Sequence, residues 1–155
     1  MMSRADLFVL AQFILLAIFA AALLFLPPAW TSTSLAIGVF LVVCGAVVVL
    51  LGILEHWRRN KTIPYITPKP NARVGLVDSG IYGYIRHPLY SGVLLAAIGV
   101  AIGHGQAALM VIVLLLIVFF AVKARYEETL LRQFYPTYAD YMTRTGRFIP
   151  FVNAL

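Results

Sequence analysis

The stretch LFVLAQFILLAIFAAALLFL, residues 7–26, decides the fold, because Gln12 is the only polar residue in it. A helix of this length rises about 30 Å, which matches the hydrocarbon thickness of a membrane. The run is longer than the apolar part of a signal peptide, and it ends at Pro27–Pro28 rather than at a small-residue cleavage site. We therefore expect residues 7–26 to form a retained transmembrane helix.

Three further apolar runs follow the first one. They lie near residues 35–54, 89–103 and 106–122, and a Gly-His-Gly turn at residues 103–105 connects the last two. Apolar residues make up 62% of the chain and charged residues 12%, which is outside the usual range of soluble domains. The sequence predicts an all-α integral membrane protein. We expect a single domain over residues 1–155 with about four transmembrane helices, the last two forming a tight hairpin.

The positively charged residues predict the orientation in the membrane. All twelve Lys and Arg residues are Arg4, members of the segment 58–86, or residues after Val122. Because Lys and Arg concentrate in cytoplasmic loops, we expect both termini, the loop 55–88 and a helical cap of residues 123–155 to be cytoplasmic. In a bacterial cell this would be the inner membrane. Topology and attraction to anionic membrane lipid explain the net charge of +6, so no nucleic-acid partner is needed.

The cysteine count and the motifs argue against two classes of site. Cys44 is the only cysteine, so the chain cannot build a disulfide framework or a zinc site with several thiolates, and we expect no metal. No G-x-G-x-x-G motif follows a strand pattern and no run of βα units could carry one, which argues against a soluble Rossmann-type domain.

The polar stretch DSGIYGYIRHPLYSG, residues 78–92, leads into the third apolar run. Pro88 suits the first position of a helix, where a backbone N–H would have no helical partner. Arg86 and His87 would then lie at a helix N-terminus at the membrane interface. Backbone N–H groups, the helix dipole and a guanidinium meet there and could bind a carboxylate or a phosphate. Alternatively, Arg86 reaches lipid phosphate and the neighbouring tyrosines form an aromatic belt.

Three segments resemble the motifs of one enzyme superfamily. GIYGYIRHPLYSG, residues 80–92, is similar to the R-H-P-x-Y-x-G signature of the isoprenylcysteine carboxyl methyltransferase and phospholipid methyltransferase superfamily. NKTIPYITPKP, residues 60–70, resembles the proline-rich segment that precedes this signature in bacterial members. EETLLRQFYPTYADYMTRTGRFIP, residues 127–150, resembles the C-terminal E-E-x-x-L-x-x-F-G-x-x-Y-x-x-Y block. Tyr135, followed by Pro136, stands where many members have glycine, which leaves the backbone of that loop open.

The resemblance implies a membrane methyltransferase that takes its methyl group from S-adenosylmethionine. The cofactor would bind in a cytoplasmic pocket roofed by the C-terminal segment, and a lipid-facing opening would admit a lipophilic or prenylated substrate. Such a pocket needs cationic or N–H groups, acidic acceptors and apolar walls. The expected catalytic residues are Arg86, His87 and Glu128. The expected cofactor-binding residues are Tyr82, His87, Pro88, Tyr90, Gly92, Glu127 and Glu128.

The residues leave alternatives open at two points. Glu127 and Glu128 could belong to a solvated helix, because Arg125 and Arg132 lie close enough along the chain for surface ion pairs. Carboxyl O-methylation is favoured as the reaction. Methylation of an amine, as in a phospholipid headgroup, or of a thiol would need a base, for which His87 is the natural candidate.

Two other functions are weighed against the methyltransferase. Membrane reductases of the sterol reductase type use NADPH and carry a similar R-H-P-N-Y-x-G-E block, but Leu89 and Val93 stand here at the Asn and Glu positions. A membrane subunit without catalytic activity is the third hypothesis. The three hypotheses predict different ligands: S-adenosylmethionine for the methyltransferase, NADPH for the reductase, and neither for the non-catalytic subunit.

Overall fold

The computed structural model describes residues 2–66 and 74–152, which form helices and connecting segments with only isolated β-bridges. The predicted all-α class is confirmed. Ser3 and Thr31 begin the first two helices with capping boxes, in which the side chain bonds the backbone N–H three residues later. The helices are α1 (Arg4–Phe25), α2 (Ser32–Asn60), α3 (Pro88–His104), α4 (Ala107–Phe134) and α5 (Tyr138–Arg144), with a short 3-10 turn (Gly80–Gly83) before α3.

Two helices are longer than the apolar runs that predict them. α2 continues to Asn60 and α4 continues to Phe134. The segment KARYEETLLRQF, residues 123–134, consists mostly of good helix formers and contains no Gly or Pro, so nothing in it ends the helix. The predicted cap therefore begins inside α4. Residues 67–73 of the predicted loop and 153–155 of the predicted cap lie outside the described residues.

Three of the described helices are long and apolar enough to cross a membrane, namely α1, α2 and α4, with 22, 29 and 28 residues. α3 has 17 residues and is shorter. Several of its residues are buried against the neighbouring helices, including Leu94, Ala97 and Ala101. α3 is therefore covered by protein over much of its length.

Glycines allow α2 and α3 to pack with their backbones in contact. A Cβ atom added at Gly38 of α2 would lie 2.6 Å from the carbonyl oxygen of Gly99 on α3. One added at Gly45 would lie 2.5 Å from the carbonyl oxygen of Gly92. Real Cβ atoms do not approach backbone so closely, so residues with side chains would force the two helices apart.

The apolar core lies between α1, α3 and α4. Leu109, Val113 and Leu116 of α4 are fully buried. Phe19 of α1 and Leu94 of α3 pack into the same cluster. This core fixes α1 against the half of the molecule that carries the polar motifs.

The two short helix connections lie together at one end of the molecule. The Ala29 backbone N–H donates to the His104 carbonyl at 2.9 Å, and Gln106 Nε2 donates to the Pro27 carbonyl at 2.7 Å. At the other end, the ring of Phe8 near the start of α1 lies 5.1 Å from the ring of Tyr126 on α4. The Lys- and Arg-free loops thus share one end of the bundle.

The segment after α5 returns to the start of α3. The backbone N–H groups of Arg86 and His87 donate to the carbonyls of Gly146 and Arg147, at 2.9 and 3.1 Å, and the Gly146 N–H donates to the Tyr84 carbonyl at 3.0 Å. Ile85 and Gly146 accordingly form an isolated parallel bridge. The C-terminal segment therefore covers the Arg-His-Pro motif.

Candidate active site

A cavity opens at the polar end of the bundle, between the loop before α3, the N-terminus of α3, the polar part of α4 and α5. Six of the eight residues expected from the sequence line it, namely Tyr82, Arg86, His87, Pro88, Tyr90 and Glu127. Gly92 and Glu128 are not among its lining residues. Gly92 instead lies in the contact with α2, and Glu128 lies behind the cavity wall.

Glu127 is the carboxylate that faces the cavity. Its side chain is 23% exposed, and Tyr90 Oη donates to its Oε2 atom at 2.8 Å. His87 Nδ1 lies 3.7 Å from the same oxygen, and the imidazole stacks on the Tyr90 ring with centroids 5.3 Å apart. Tyr90 and His87 thus fix the position of an acidic group that a bound molecule can reach.

Glu128 is the centre of a buried ion cluster. The residue is only 3% exposed, and its carboxylate receives Arg86 Nε at 2.8 Å and Arg147 Nη2 at 2.7 Å. His87 Nε2 lies 3.4 Å from Glu128 Oε1. The solvated-helix alternative is therefore wrong for Glu128. Its carboxylate holds α4, the Arg-His-Pro motif and the C-terminal segment together.

The Arg86 side chain points into the protein. Besides Glu128, its Nη1 atom donates to the backbone carbonyls of Met142, at 3.2 Å, and Thr145. Arg86 is 5% exposed, so it does not extend to the lipid headgroups as the alternative interpretation required. The guanidinium connects the beginning of α3 to the end of α5.

Arg147 was not among the site residues predicted from the sequence. It lies in the GRFIP sequence at the end of the third motif and donates from both Nε and Nη2 to the Glu128 carboxylate. A lone arginine between a glycine and an apolar residue gives no pattern that indicates an ion pair. Its place inside a family motif was the only signal that could have identified it.

Glu55, near the end of α2, is a second residue that the sequence motifs did not predict. Its carboxylate accepts a hydrogen bond from Ser79 Oγ at 2.5 Å and pairs with Arg58 and Arg59. Gly80 packs directly on it with φ of 57°, a left-handed conformation that favours glycine. Glu55 thus fixes the turn that leads into the Arg-His-Pro motif.

Tyrosine rings form much of the cavity wall. Tyr138 and Tyr141 of α5 are almost fully buried, and Tyr141 Oη donates to the Tyr82 carbonyl at 2.6 Å. Burial raises the pKa of the Tyr82, Tyr138 and Tyr141 phenols far above the usual value, so they stay neutral. Tyr135, at the end of α4, donates to the Val74 carbonyl at 2.6 Å. The Tyr135–Pro136 departure from the family motif therefore adds a phenol to the wall.

Among the described residues, the cavity combines the Glu127 carboxylate, the imidazoles of His56 and His87, and aromatic walls. Within the described residues, His87 Nε2 is buried and makes no aligned hydrogen bond, although Glu128 Oε1 is near. The part of the chain that the structure describes contains no group of three His, Cys, Asp or Glu residues placed to hold a metal ion. Such a cavity suits an organic cation with an aromatic part.

Several curated relatives are similar to this chain. Protein-S-isoprenylcysteine O-methyltransferase B of Arabidopsis thaliana is 35% identical over 80 residues, which cover 50% of this chain and 41% of the relative. The probable protein-S-isoprenylcysteine O-methyltransferase of Oryza sativa subsp. indica is 30% identical over 76% of this chain and 61% of the relative. The Saccharomyces cerevisiae protein-S-isoprenylcysteine O-methyltransferase is 30% identical over 71% and 49%. The chain thus spans about half the length of the curated relatives it matches.

A solved structure shares the fold. The eukaryotic intramembrane Ras methyltransferase, an isoprenylcysteine carboxyl methyltransferase, superposes with a TM-score of 0.54 and 23% sequence identity. The match covers 97% of this chain and 55% of the other. The profile of the phospholipid methyltransferase family matches residues 33–138, which is more than half of the chain. The resemblance seen in the sequence motifs is therefore confirmed, and the chain belongs to the phospholipid methyltransferase family.

Proposed function

We propose that the protein is an S-adenosylmethionine-dependent methyltransferase that acts on an amphiphilic substrate in the membrane. The observation that carries the proposal is the Glu127 carboxylate, which is accessible in an aromatic cavity and held there by Tyr90 and His87. Family membership and the three matching relatives support the same reaction class. Carboxyl O-methylation of an isoprenylcysteine is the favoured reaction.

The residues of the cavity fit this cofactor. Glu127 offers an acceptor for ribose hydroxyls and a negative charge for the sulfonium, and the rings of Tyr82, Tyr138 and Tyr141 offer apolar walls for the adenine. His87 and Pro88 would lie beside the methionyl part. When bound, S-adenosylmethionine supplies an electrophilic methyl group on a positively charged sulfur.

The residues of this chain align and protect the reacting groups. Transfer of a methyl group is an in-line displacement, so the site must mainly hold the acceptor in line and exclude water. The C-terminal segment covers the Arg-His-Pro motif and the tyrosine walls are apolar, which serves that exclusion. Arg86 and Glu128 act as positioning residues, because their charged groups bond to each other and to the C-terminal segment.

The chemical group that accepts the methyl group determines whether the reaction needs a general base. A carboxylate is already a nucleophile at neutral pH and needs no proton removed, whereas an amine or a thiol does. His87 lines the cavity beside Glu127 and would accept that proton. The neighbouring apolar helices would bind the lipophilic part of the substrate, and both termini and the site would face the cytoplasm.

Calorimetric titration of the detergent-purified protein with S-adenosylhomocysteine tests the proposal, with NADPH as a parallel titrant. We expect binding of the first and not of the second. Glu127→Gln removes the accessible charge and should weaken binding about tenfold. Asp140→Asn, the same chemical change on the exposed face of α5, is the matched control and should bind like wild type.

Methyl transfer to substrates is the second measurement. Radiolabelled S-adenosylmethionine is supplied with a prenylcysteine, an amino-headgroup phospholipid or an alkyl thiol in the same detergent. Labelling of the prenylcysteine alone would support carboxyl methylation. Binding of NADPH instead of S-adenosylhomocysteine, or of neither by folded protein, would contradict the methyltransferase assignment.

A further inference from the structure

Lys123 of α4 is a fully buried lysine next to the proposed cofactor site. Its relative exposure is 0%. Its Nζ atom donates to Gln12 Oε1 of α1 at 2.5 Å and to the Ile66 carbonyl at 3.4 Å. Lysine side chains are rarely buried, because the amino group must find partners that replace water. The side-chain partner of Lys123 comes from a different transmembrane helix.

The same amino group reaches the wall of the cavity. Lys123 Nζ lies 5.0 Å from the centroid of the Tyr90 ring, where a cationic amine is attracted to the ring face. Tyr90 Oη in turn donates to Glu127 at 2.8 Å. Lys123 and Glu127 are also four residues apart on α4, and therefore lie on the same face of the helix. A continuous set of contacts runs from Gln12 through Lys123 and Tyr90 to Glu127.

Gln12 is the polar side chain of α1 that contacts Lys123. It is the only polar residue of the apolar run 7–26, and a polar side chain inside a membrane helix is costly unless it bonds to a partner. The family profile matches from residue 33 onward, so α1 lies outside the matched region. The contact with Lys123 therefore joins α1 to the region that the profile matches.

We propose that α1 completes the cofactor site: Gln12 is a positioning residue that, through Lys123, holds Tyr90 and the Glu127 carboxylate in the arrangement that binds S-adenosylmethionine. The inference rests on the proposed function, because the affinity for the cofactor is what the contacts would preserve. Gln12 orders the lysine, and the lysine supports the ring whose hydroxyl orients the carboxylate.

The experiment measures S-adenosylhomocysteine affinity and melting temperature in detergent for a set of variants. Gln12→Leu should weaken the affinity about three- to tenfold, because the Lys123 amino group loses its acceptor and no longer holds Tyr90. Gln106→Leu makes the same change in the loop at the far end, where Gln106 bonds the Pro27 carbonyl, and should bind like wild type. Gln12→Glu keeps an acceptor oxygen on a side chain of the same length, so this variant should bind S-adenosylhomocysteine like wild type.

A double variant tests whether Gln12 acts through Lys123. Lys123→Met should weaken binding at least as much as Gln12→Leu, and combining the two should add little, because the glutamine then has no lysine to order. Wild-type affinity in Gln12→Leu, or additive losses in the double variant, would overturn the inference and leave the methyltransferase assignment intact. If wild-type protein does not bind S-adenosylhomocysteine, the proposed function fails and the inference falls with it.

Discussion

Glu127 and Glu128 are adjacent in the sequence, but they lie in different surroundings. Successive residues of a helix point about 100° apart, so one of two neighbours can face a cavity while the other faces the protein interior. Glu127 lines the cavity, whereas Glu128 is bonded by Arg86 and Arg147. Substitutions at the two positions should therefore affect different properties, binding at the first and stability at the second.

Glu128→Ala should strongly destabilise the protein. Removing one partner of a buried ion cluster leaves the arginines without their counter-charge, and the expected loss in the free energy of unfolding is about 3–5 kcal/mol. Arg144→Ala is the control, because it breaks the exposed ion pair between Arg144 and Asp78 and should change that free energy by less than about 1 kcal/mol. Thermal unfolding in detergent measures both. Equal melting temperatures for the two variants would contradict the assigned role of Glu128.

The buried tyrosines predict a loss of stability at alkaline pH. Burial raises the pKa of Tyr138, so the folded protein keeps this proton at a pH where the unfolded chain releases it. The folded state then binds more protons, and stability falls as the pH rises above about 10, the ordinary pKa of a tyrosine. The melting temperature measured between pH 8 and 11 should show this decline.

Tyr138→Phe should reduce the alkaline decline, because the ionising group is removed. Tyr84→Phe is the matched control, since Tyr84 is 56% exposed, and it should leave the decline as in wild type. The prediction fails if both variants lose stability with pH as steeply as the wild-type protein.

The sequence could predict which residues lie near the site, but not their partners. Arg86, His87 and Glu127 belong to contiguous motifs that resemble a known family, and all three line the cavity. Arg147 and Lys123 act through partners 19 and 111 residues away in the chain. No local pattern encodes such a pairing, because it depends on how the helices pack.

At the scale of the elements, the contact between α2 and α3 depends on glycine at particular positions. A Cβ atom at Gly99 would lie 2.7 Å from the Gly38 carbonyl oxygen, whereas one at Gly103, one turn further along α3, would lie no closer than 3.6 Å to its nearest neighbour. The same substitution should therefore have opposite effects at the two positions. Gly92 of the Arg-His-Pro motif belongs to this contact as well.

Gly99→Ala should lower the free energy of unfolding by roughly 1–3 kcal/mol, because the added methyl group forces two backbones apart. Gly103→Ala should leave it within about 1 kcal/mol of wild type, on the stabilising side, since alanine favours the helix over glycine. Melting temperatures in detergent compare the two. A destabilised Gly103→Ala together with an unchanged Gly99→Ala would contradict the packing described here.

The helix lengths show what apolar runs reveal and what they leave out. The runs located the apolar parts of α1, α2, α3 and α4, because a helix that faces lipid or the protein core is built from apolar residues. The runs end at residues 54 and 122, where the charged residues begin, but α2 and α4 continue to Asn60 and Phe134. Helix propensity rather than apolarity determines where these two helices stop, and the extension of α4 carries Lys123 and both site glutamates.

For the molecule as a whole, the charge pattern and the position of the loops predict one orientation in the membrane. The connections of α1 to α2 and of α3 to α4 meet at one end and contain no Lys or Arg. Under the positive-inside rule that end should be extracytoplasmic. The cavity and the C-terminal segment lie at the other end, which we expect to face the cytoplasm.

Cysteine labelling tests this orientation. Because Cys44 is the only cysteine, Cys44→Ser gives a background without thiols, into which Met2→Cys, Trp30→Cys or Asp140→Cys is introduced. In right-side-out membrane vesicles, a membrane-impermeant maleimide should label only the Trp30→Cys protein. The other two should react after the vesicles are permeabilised. Labelling of Met2→Cys in intact vesicles would contradict the orientation.

The C-terminal segment returns to the start of α3, so the site can close only after this segment has been synthesised. A ribosome synthesises Arg86, His87 and Glu128 before it reaches Gly146 and Arg147, so helices α1 to α5 have been made while the ion cluster still lacks one arginine. The site therefore cannot close until Gly146 and Arg147 have been made. A nascent chain that stalls after α5 would insert into the membrane with an open, unfinished pocket.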